Sequence, residues 1–492
     1  MSSQADIWVG IDLGTQSVRC VAVDDDGRIH GSGSSTLTSH RESGRHEQDP
    51  EQWWDAVVDA TRAAMATVPP GRVRAVAVDA TSGTILLTDA SGVPVTEGIM
   101  YDDARGADAV DAVNEAGGAL WGSLGYQRMQ PTWALPTLVH LLRGHDTAGL
   151  RVQHQSDFIN GRLVGELVAS DLSSALKTGA DLAGEQWPSD VMDALGIDLS
   201  LLPPLVRSGR PLGVVSARAA EQTGLPAGIV VISGATDGCA AQLGAGAITP
   251  GSWNSVLGTT LILKGVSTSP VTDPLGVVYS HRGPDGGWLP GGASSSGAGV
   301  ISARFGGADL GQLENALARR GLNPDVVTYP LATPGERFPF AAPGAHSFTL
   351  GSPVDDVDEF GALLLGLAFV ERLSFEYLRS LGASTDGPWI LTGGGTRNRL
   401  WNQLRADVNG RDATLTANAE PALGMAVLAA ASQRSLATAA DSMVVVRERI
   451  HAAPGARARY QASYETFVRH LERLGWLPAH VACIALTGMA RT

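Results

Sequence analysis

The stretch Gly234-Ala235-Thr236-Asp237-Gly238-Cys239-Ala240-Ala241 sets one carboxylate among small residues, directly after the apolar run 229–232. Small neighbours let backbone and substrate approach closely, so Asp237 has the setting of a general base for a hydroxyl. Three further Gly/Thr-rich turns could complete a site around it. They are Gly10-Ile11-Asp12-Leu13-Gly14-Thr15-Gln16, Gly258-Thr259-Thr260 and Gly393-Gly394-Gly395-Thr396-Arg397-Asn398. Each follows a short apolar run and has the composition that wraps phosphate or nucleotide with backbone N–H groups. Asp12 beside its turn can hold Mg²⁺ directly or through water, because that ion takes oxygen ligands and keeps several waters. Read alone, it is also a turn aspartate capping local N–H groups.

The elements around these turns are of α/β type. Residues 7–11 read as a strand, 18–23 as a second, and Asp25-Asp26-Gly27-Arg28 as a turn into a third near Ile29. In a Rossmann unit the first glycine turn opens a helix, whereas here it leads into another strand. The Asp24-Asp25-Asp26 run lacks EF-hand spacing and its terminal Glu, and reads as a solvated turn. Pro50 and acids in the first turn predict a helix to about Met65. Residues 73–78 form a strand, 85–93 a hairpin, and 104–142 and 155–176 are mostly helical. A strand at 228–233 precedes a helix starting at Asp237. Residues 254–257, the Gly258-Thr259-Thr260 turn and 261–265 then repeat the strand–turn–strand pattern of 7–23. This echo divides the chain into two related α/β domains, 1–247 and 248–480. In the second, 360–381 reads as an amphipathic helix, 389–392 as a strand, 398–408 as a helix, and 421–431 as a small-residue helix able to pack close to backbone. The last twenty or so residues carry no assignment.

Composition narrows the function classes. At 492 residues there is room for two to four domains with real cores. The 60 glycines come without long Pro/Ser/Gln tracts, as expected for many tight turns rather than disorder. A net charge of −14 and the lack of a Lys/Arg-rich run oppose a role gripping nucleic acid. Cys20, Cys239 and Cys483 are odd in number and lack CxxC spacing, which fits a reducing compartment and no zinc cluster. Cys239 reads as a small packing residue. Without a signal-peptide pattern or a run of roughly 18 apolar residues, a cytoplasmic protein with no membrane partner is expected.

The four turns, in this order, resemble the FGGY carbohydrate kinases of the actin-like ATPase superfamily, over roughly residues 7–475. IWVGIDLGTQSVR (7–19) is similar to that family's first phosphate loop, 234–246 to its catalytic-base loop, and LTGGGTRNRLWNQLRADVNGR with Glu420-Pro421-Ala422-Leu423-Gly424 to its nucleotide segment. The resemblance implies two actin-like (ribonuclease H-like) ATPase domains with the active site in the cleft between them. It implies ATP and Mg²⁺ as cofactors and a sugar as substrate, and leaves a homodimer open. Phosphoryl transfer needs placed phosphates, neutralised charge and a base. By the resemblance Asp237 takes the sugar's proton and Asp12 faces the metal. Gly14, Thr15 and Gln16 meet the phosphates, and so do Gly258 and Thr259 from the second domain. Gly394, Gly395 and Asn398 line the adenosine pocket, with Trp401 more suited to core. The family often has Ser or Asn where Gln16 stands.

On the sugar side, Asp103 and Arg105 in Tyr101-Asp102-Asp103-Ala104-Arg105 match the family's Asp-x-Arg. As a bare pattern the pair is salt-bridge material. Asp157, in Gln155-Ser156-Asp157, either touches sugar or caps a helix. D-xylulokinases carry a Gly-Gln-x-His-Gly-like stretch after the strand at 73–78. This chain instead has Asp79-Ala80-Thr81-Ser82-Gly83-Thr84, similar to the D-ribulokinase-like branch, which makes Ser82 the sugar contact. Thr137 stands where the family often has Lys. The expected activity is ATP-dependent phosphorylation of a ketopentose to its 5-phosphate, D-ribulose ahead of D-xylulose. The alternatives are a glycerol or other polyol kinase, or a nucleotide-switched protein of the actin or heat-shock-chaperone type, which needs no base at Asp237.

Overall fold

The computed structural model describes residues 5–487. The chain divides into two compact units: Met1–Ile248 with Ser280–Leu289 and Asn418–Val445, and Thr249–Tyr279 with Pro290–Ala417 and Val446–Thr492. Among the described residues no helix is long and apolar enough to cross a membrane.

The first unit is built on a six-stranded sheet in the order Pro211–Val214, Val230–Ile232, Val73–Ala80, Ile7–Leu13, Ser17–Asp24, Ile29–Thr36. Strand Ile7–Leu13 is buried along its whole length, which explains its nearly unbroken apolar run. It pairs antiparallel with Ser17–Asp24 and parallel with Val73–Ala80. Helix Pro50–Met65 starts where expected, with the Asp49 side chain accepting from the Glu51 N–H at 2.9 Å. It buries Trp53, Val57, Ala60 and Ala64, one face at helical spacing. Of the acidic run only Asp25 and Asp26 make the turn; Asp24 is the buried end of strand Ser17–Asp24, its Oδ1 accepting from the N–H groups of Asp26 and Arg28 to close that turn.

Helix Pro421–Ala430 belongs to this first unit, and its small residues have a direct reason. A Cβ on Gly10 would lie 1.8 Å from the Ala422 carbonyl oxygen, and one on Gly424 would lie 1.9 Å from that of Ala240. The helix is therefore seated backbone against backbone on strand Ile7–Leu13 and on helix Asp237–Gly244. Gly10→Ala should destabilise the unit by about 1–3 kcal/mol or more, the usual cost of overpacking. A lower urea midpoint at an unchanged slope checks this; an unaltered midpoint would contradict the packing.

The second unit repeats the plan. Trp253–Leu257 pairs antiparallel with Leu261–Gly265 and parallel with Trp389–Thr392, within a seven-stranded sheet. The echo thus includes a third strand: Val73–Ala80 and Trp389–Thr392 hold equivalent positions. The helix at 360–381 runs from Asp356 to Ser380 and is buried all round rather than on one face. Its charged residues made it look amphipathic, but those of its central turns, Glu371, Arg372 and Glu376, are buried and paired. Glu371 holds Arg405 (Nη2–Oε1 2.6 Å), and Glu376 holds Arg372 (2.9 Å) and Arg457 (2.8 Å). Part of the unassigned C-terminal stretch is helical, Ala479–Thr487, and the remainder lies outside the described residues.

Candidate functional site

In the first unit, three aspartates meet at the carboxyl ends of adjacent parallel strands, where α/β sheets bind ligands. Asp12 and Asp79 are register partners on Ile7–Leu13 and Val73–Ala80. Ala80 bridges to Thr236, which brings in Asp237 as the first residue of helix Asp237–Gly244. Asp237 is half-buried, and its Oδ1 accepts from the Gly238 N–H at 2.7 Å. Cys239 is buried and accepts from the Thr236 hydroxyl at 3.3 Å, as a packing residue would.

Burial dominates the electrostatics. It raises the Asp12 carboxyl from 3.8 to about 6, helped by the charge of Asp237 and opposed by Asp79 and Arg19. Asp79 is fully buried, and burial, followed by the charges of Asp12 and Asp237, pushes it well above the ordinary range. Among the described residues neither of its oxygens meets an N–H or hydroxyl. Its one hydrogen-bonding neighbour is the Asp12 carboxyl, a contact that exists only when one of the two carries a proton. Asp79 is the more deeply buried, so it is the protonated partner and donates to Asp12.

The Gly14-Thr15-Gln16 turn closes through Gly14 N–H to Ser17 O at 3.1 Å. Gln48 Nε2 donates to Thr15 O at 2.7 Å and Leu37 N–H to Gln16 O at 2.9 Å, so both carbonyls are engaged by the protein. A cavity of about 420 Å³ lies against this turn, lined by Asp12, Gly14, Thr15 and Gln16 with Arg19, Arg41 and Tyr101 among others. Arg41 also donates to Asp102 at 2.9 Å.

Ser82 presents a buried hydroxyl without a partner among the described residues, and Lys177 Nζ donates to its carbonyl at 2.8 Å. Asp103 and Arg105 are tied together instead. Asp103 Oδ1 accepts from Arg105 N–H and Nε, both at 2.9 Å, and Oδ2 from Arg105 Nη2 at 2.8 Å and His46 N–H at 2.6 Å. Arg105 also donates to Glu47 at 2.6 Å, so the pair fastens this segment to the Arg45–Gln48 strand. Asp157 caps its helix, its Oδ2 accepting from the His154 N–H at 3.0 Å.

In the second unit the Gly258 and Gly393 turns are adjacent. A Cβ on Gly393 or Gly395 would strike Leu257, at 2.6 and 2.7 Å. Asn398 caps helix Arg399–Asn409 by accepting from the Trp401 N–H at 2.7 Å, and Trp401 itself is core. Gly394 differs from its neighbours, since a Cβ there meets no atom of the other described residues within 4 Å and no positive φ demands glycine. At Gly258 the nearest atom would be 3.9 Å away. Both positions leave room that the protein does not fill.

Asp79, Arg19, Arg41 and Lys177 also belong to this region, and none of them stands out in the sequence as a site residue. Register could have found two of them: Asp12 faces both Asp79 and Arg19 across its strand pairs. Arg41 and Lys177 arrive from distant segments and carry no local signal.

Residues 7–244 match the model of the FGGY family of carbohydrate kinases, N-terminal domain, and residues 253–433 that of its C-terminal domain. A xylulose kinase of Streptomyces coelicolor is 30% identical, covering 91% of this chain and 91% of its own. An autoinducer-2 kinase of Escherichia coli is 28% identical over 92% of each. The crystal structure of xylulose kinase from Rhodospirillum rubrum superposes with a TM-score of 0.85 at 26% identity, covering 95% of this chain and 99% of that one.

Proposed function

The chain belongs to the FGGY family of carbohydrate kinases and is an ATP-dependent sugar kinase, and we propose that its substrate is a ketopentose phosphorylated on the 5-hydroxyl, D-ribulose ahead of D-xylulose. Family membership sets the nucleotide-switch alternative aside. The observation that carries the site reading is the convergence of Asp12, Asp79 and Asp237 beside a Gly-Thr turn and its cavity.

Asp237 accepts the proton as the sugar hydroxyl oxygen attacks the γ-phosphorus, and the bond from that phosphorus to the bridging oxygen of ADP breaks. Thr15 and Gln16 offer N–H donors to phosphate, Gly14 lets the phosphate approach the turn whose closure its own N–H secures, and Arg19 and Arg41 add positive charge at the same cavity. Gly258 and Thr259 meet phosphates from the second unit. Gly394, Gly395 and Asn398 take the adenosine, and the unfilled space at Gly394 supports that role. Asp12 would hold Mg²⁺, which neutralises phosphate charge when bound. Among the described residues no group of three or more His, Cys, Asp or Glu could hold a metal. That fits an ion held through one or two carboxylates, water and the nucleotide's own phosphates.

Ser82 carries the sugar preference. Its free hydroxyl supports a hydrogen bond to substrate, where D-xylulokinases use His and Gln. The names of the relatives favour D-xylulose, so that sugar is the second reading. Asp103 and Arg105, being locked together, would shape the sugar pocket through the segment they fasten. A coupled assay for ADP release across pentuloses, hexuloses and polyols is expected to rank D-ribulose first. A preference for D-xylulose of about tenfold or more in kcat/KM, roughly 1.4 kcal/mol at the transition state, would sink the D-ribulose choice.

A further inference from the structure

Glu336 lies on a loop of the second unit, distant in sequence from every turn discussed so far, and is 3% exposed. Its Oε1 accepts from the N–H groups of Ser295 (2.6 Å), Arg337 (2.9 Å) and Phe338 (3.4 Å). Its Oε2 accepts from the Ser296 hydroxyl (3.0 Å) and the Tyr329 phenol (2.6 Å), while the Ser294 hydroxyl reaches both oxygens. So many donors on one buried carboxylate fix the Ser294-Ser295-Ser296 backbone far more firmly than its serines could alone.

That segment continues directly around the Gly258-Thr259-Thr260 turn. Leu261 N–H donates to Ser296 O at 2.7 Å, Ala298 N–H to Gly258 O at 2.9 Å and Gly299 N–H to Thr259 O at 3.1 Å. The fit is close: a Cβ on Gly297 would lie 2.3 Å from Thr259 O. The Gly258 and Thr259 carbonyls are thereby drawn to the 296–299 segment, which, with the Gly258 N–H donating to Thr260 O at 3.1 Å, sets the direction of the Thr259 and Thr260 N–H groups. On the other side, Tyr329 is fully buried and stacked on Phe348 (centroids 5.6 Å apart), so Glu336 is anchored to the core as well as to the turn.

We propose that Glu336 is a positioning residue for nucleotide phosphate, acting through Ser294–Ser296 on the Gly258-Thr259-Thr260 turn. The inference rests on the reading of that turn as a phosphate site. Glu336→Gln keeps the shape but sets amide hydrogens against donors, and should raise the ADP dissociation constant and the KM for ATP about tenfold or more. Sugar affinity and kcat at saturating ATP should change by less than about threefold, a split that general loosening of the fold would not give. Glu336→Asp keeps the charge and should recover part of the loss. Hydrogen exchange at Ala298 and Gly299 should speed up in Glu336→Gln while strand Trp253–Leu257 stays protected. Should Glu336→Gln fail to fold, Ser296→Ala, which removes one donor, decides the matter with a smaller rise. A folded variant binding ADP within about twofold of the parent overturns the proposal. Gly258→Val separates it from the reading beneath: the added side chain starts in open space, so it should block phosphate without harming the fold. If Gly258→Val leaves ADP binding unchanged, the turn is not a phosphate site and both claims fall.

Discussion

Asp237→Asn is expected to lower kcat by about 10²–10⁴, the usual contribution of a positioned general base. The amide keeps the size of the carboxylate and can still accept from the Gly238 N–H, as Asp237 does now at 2.7 Å. It cannot take the hydroxyl proton. Sugar affinity should change little, because an amide still hydrogen-bonds a hydroxyl. Stability should also hold. The charge–dipole attraction lost at the start of helix Asp237–Gly244 is about 0.3–1 kcal/mol, and its loss is offset by relief from the neighbouring Asp12 carboxylate. Steady-state turnover, with circular dichroism to show a folded variant, checks this. Near-normal turnover in a folded protein would remove the base assignment.

Asp12→Asn should separate activity from stability in opposite directions. Use of Mg·ATP should weaken, and added Mg²⁺ should restore part of it, since the lost feature is charge facing the ion. The metal-free protein should become more stable at neutral pH. Burial raises the folded carboxyl from 3.8 to about 6. Between those values the native state binds the proton and the unfolded chain has released it, so stability falls as pH rises through that window. Above about pH 6 the whole cost is in force, on the order of 2–3 kcal/mol at 1.36 kcal/mol per pH unit. The asparagine variant has nothing to ionise and escapes it. Without metal, its melting midpoint at pH 7.5 should exceed the parent's by several degrees, and the gap should close near pH 4. A variant less stable than the parent at pH 7.5 would show that the Asp12 charge is not strained by its burial.

These two aspartates differ because of their surroundings, and the surroundings are where sequence and structure part company. Asp12 and Asp237 could be picked out from a chain read in order, since each sits in a small-residue turn after an apolar run. Asp79 sits after an equally apolar strand, yet its role depends on which strand lies beside it. Only the parallel register with Ile7–Leu13 sets it opposite Asp12 and turns an ordinary strand-end aspartate into a buried proton donor. Glu336 is a stronger case, because its donors come from Ser294, Ser295, Ser296 and Tyr329 as well as its own loop.

The sequence by itself determined the α/β class, the strand–turn–strand opening of both units, the helix beginning at Pro50, and the family. All of these rest on local chemistry: apolar runs, capping residues, and glycines at turns that have to be tight. It also marked helix Pro421–Ala430 as one that packs close, because Ala and Gly leave backbone as the contact surface. Tertiary structure alone decided that this helix lies on strand Ile7–Leu13, that Arg105 reaches Glu47, and that Arg41 lines the cavity beside the Gly14-Thr15-Gln16 turn. It also decided that the charges of helix Asp356–Ser380 are paired in the interior. Apart from the Arg372–Glu376 pair, four residues apart on one helix, each is a pairing between segments far apart in the chain. Hydrophobic pattern says that a residue is buried or exposed, but the partner that satisfies its charge is chosen by the register and packing of the folded unit.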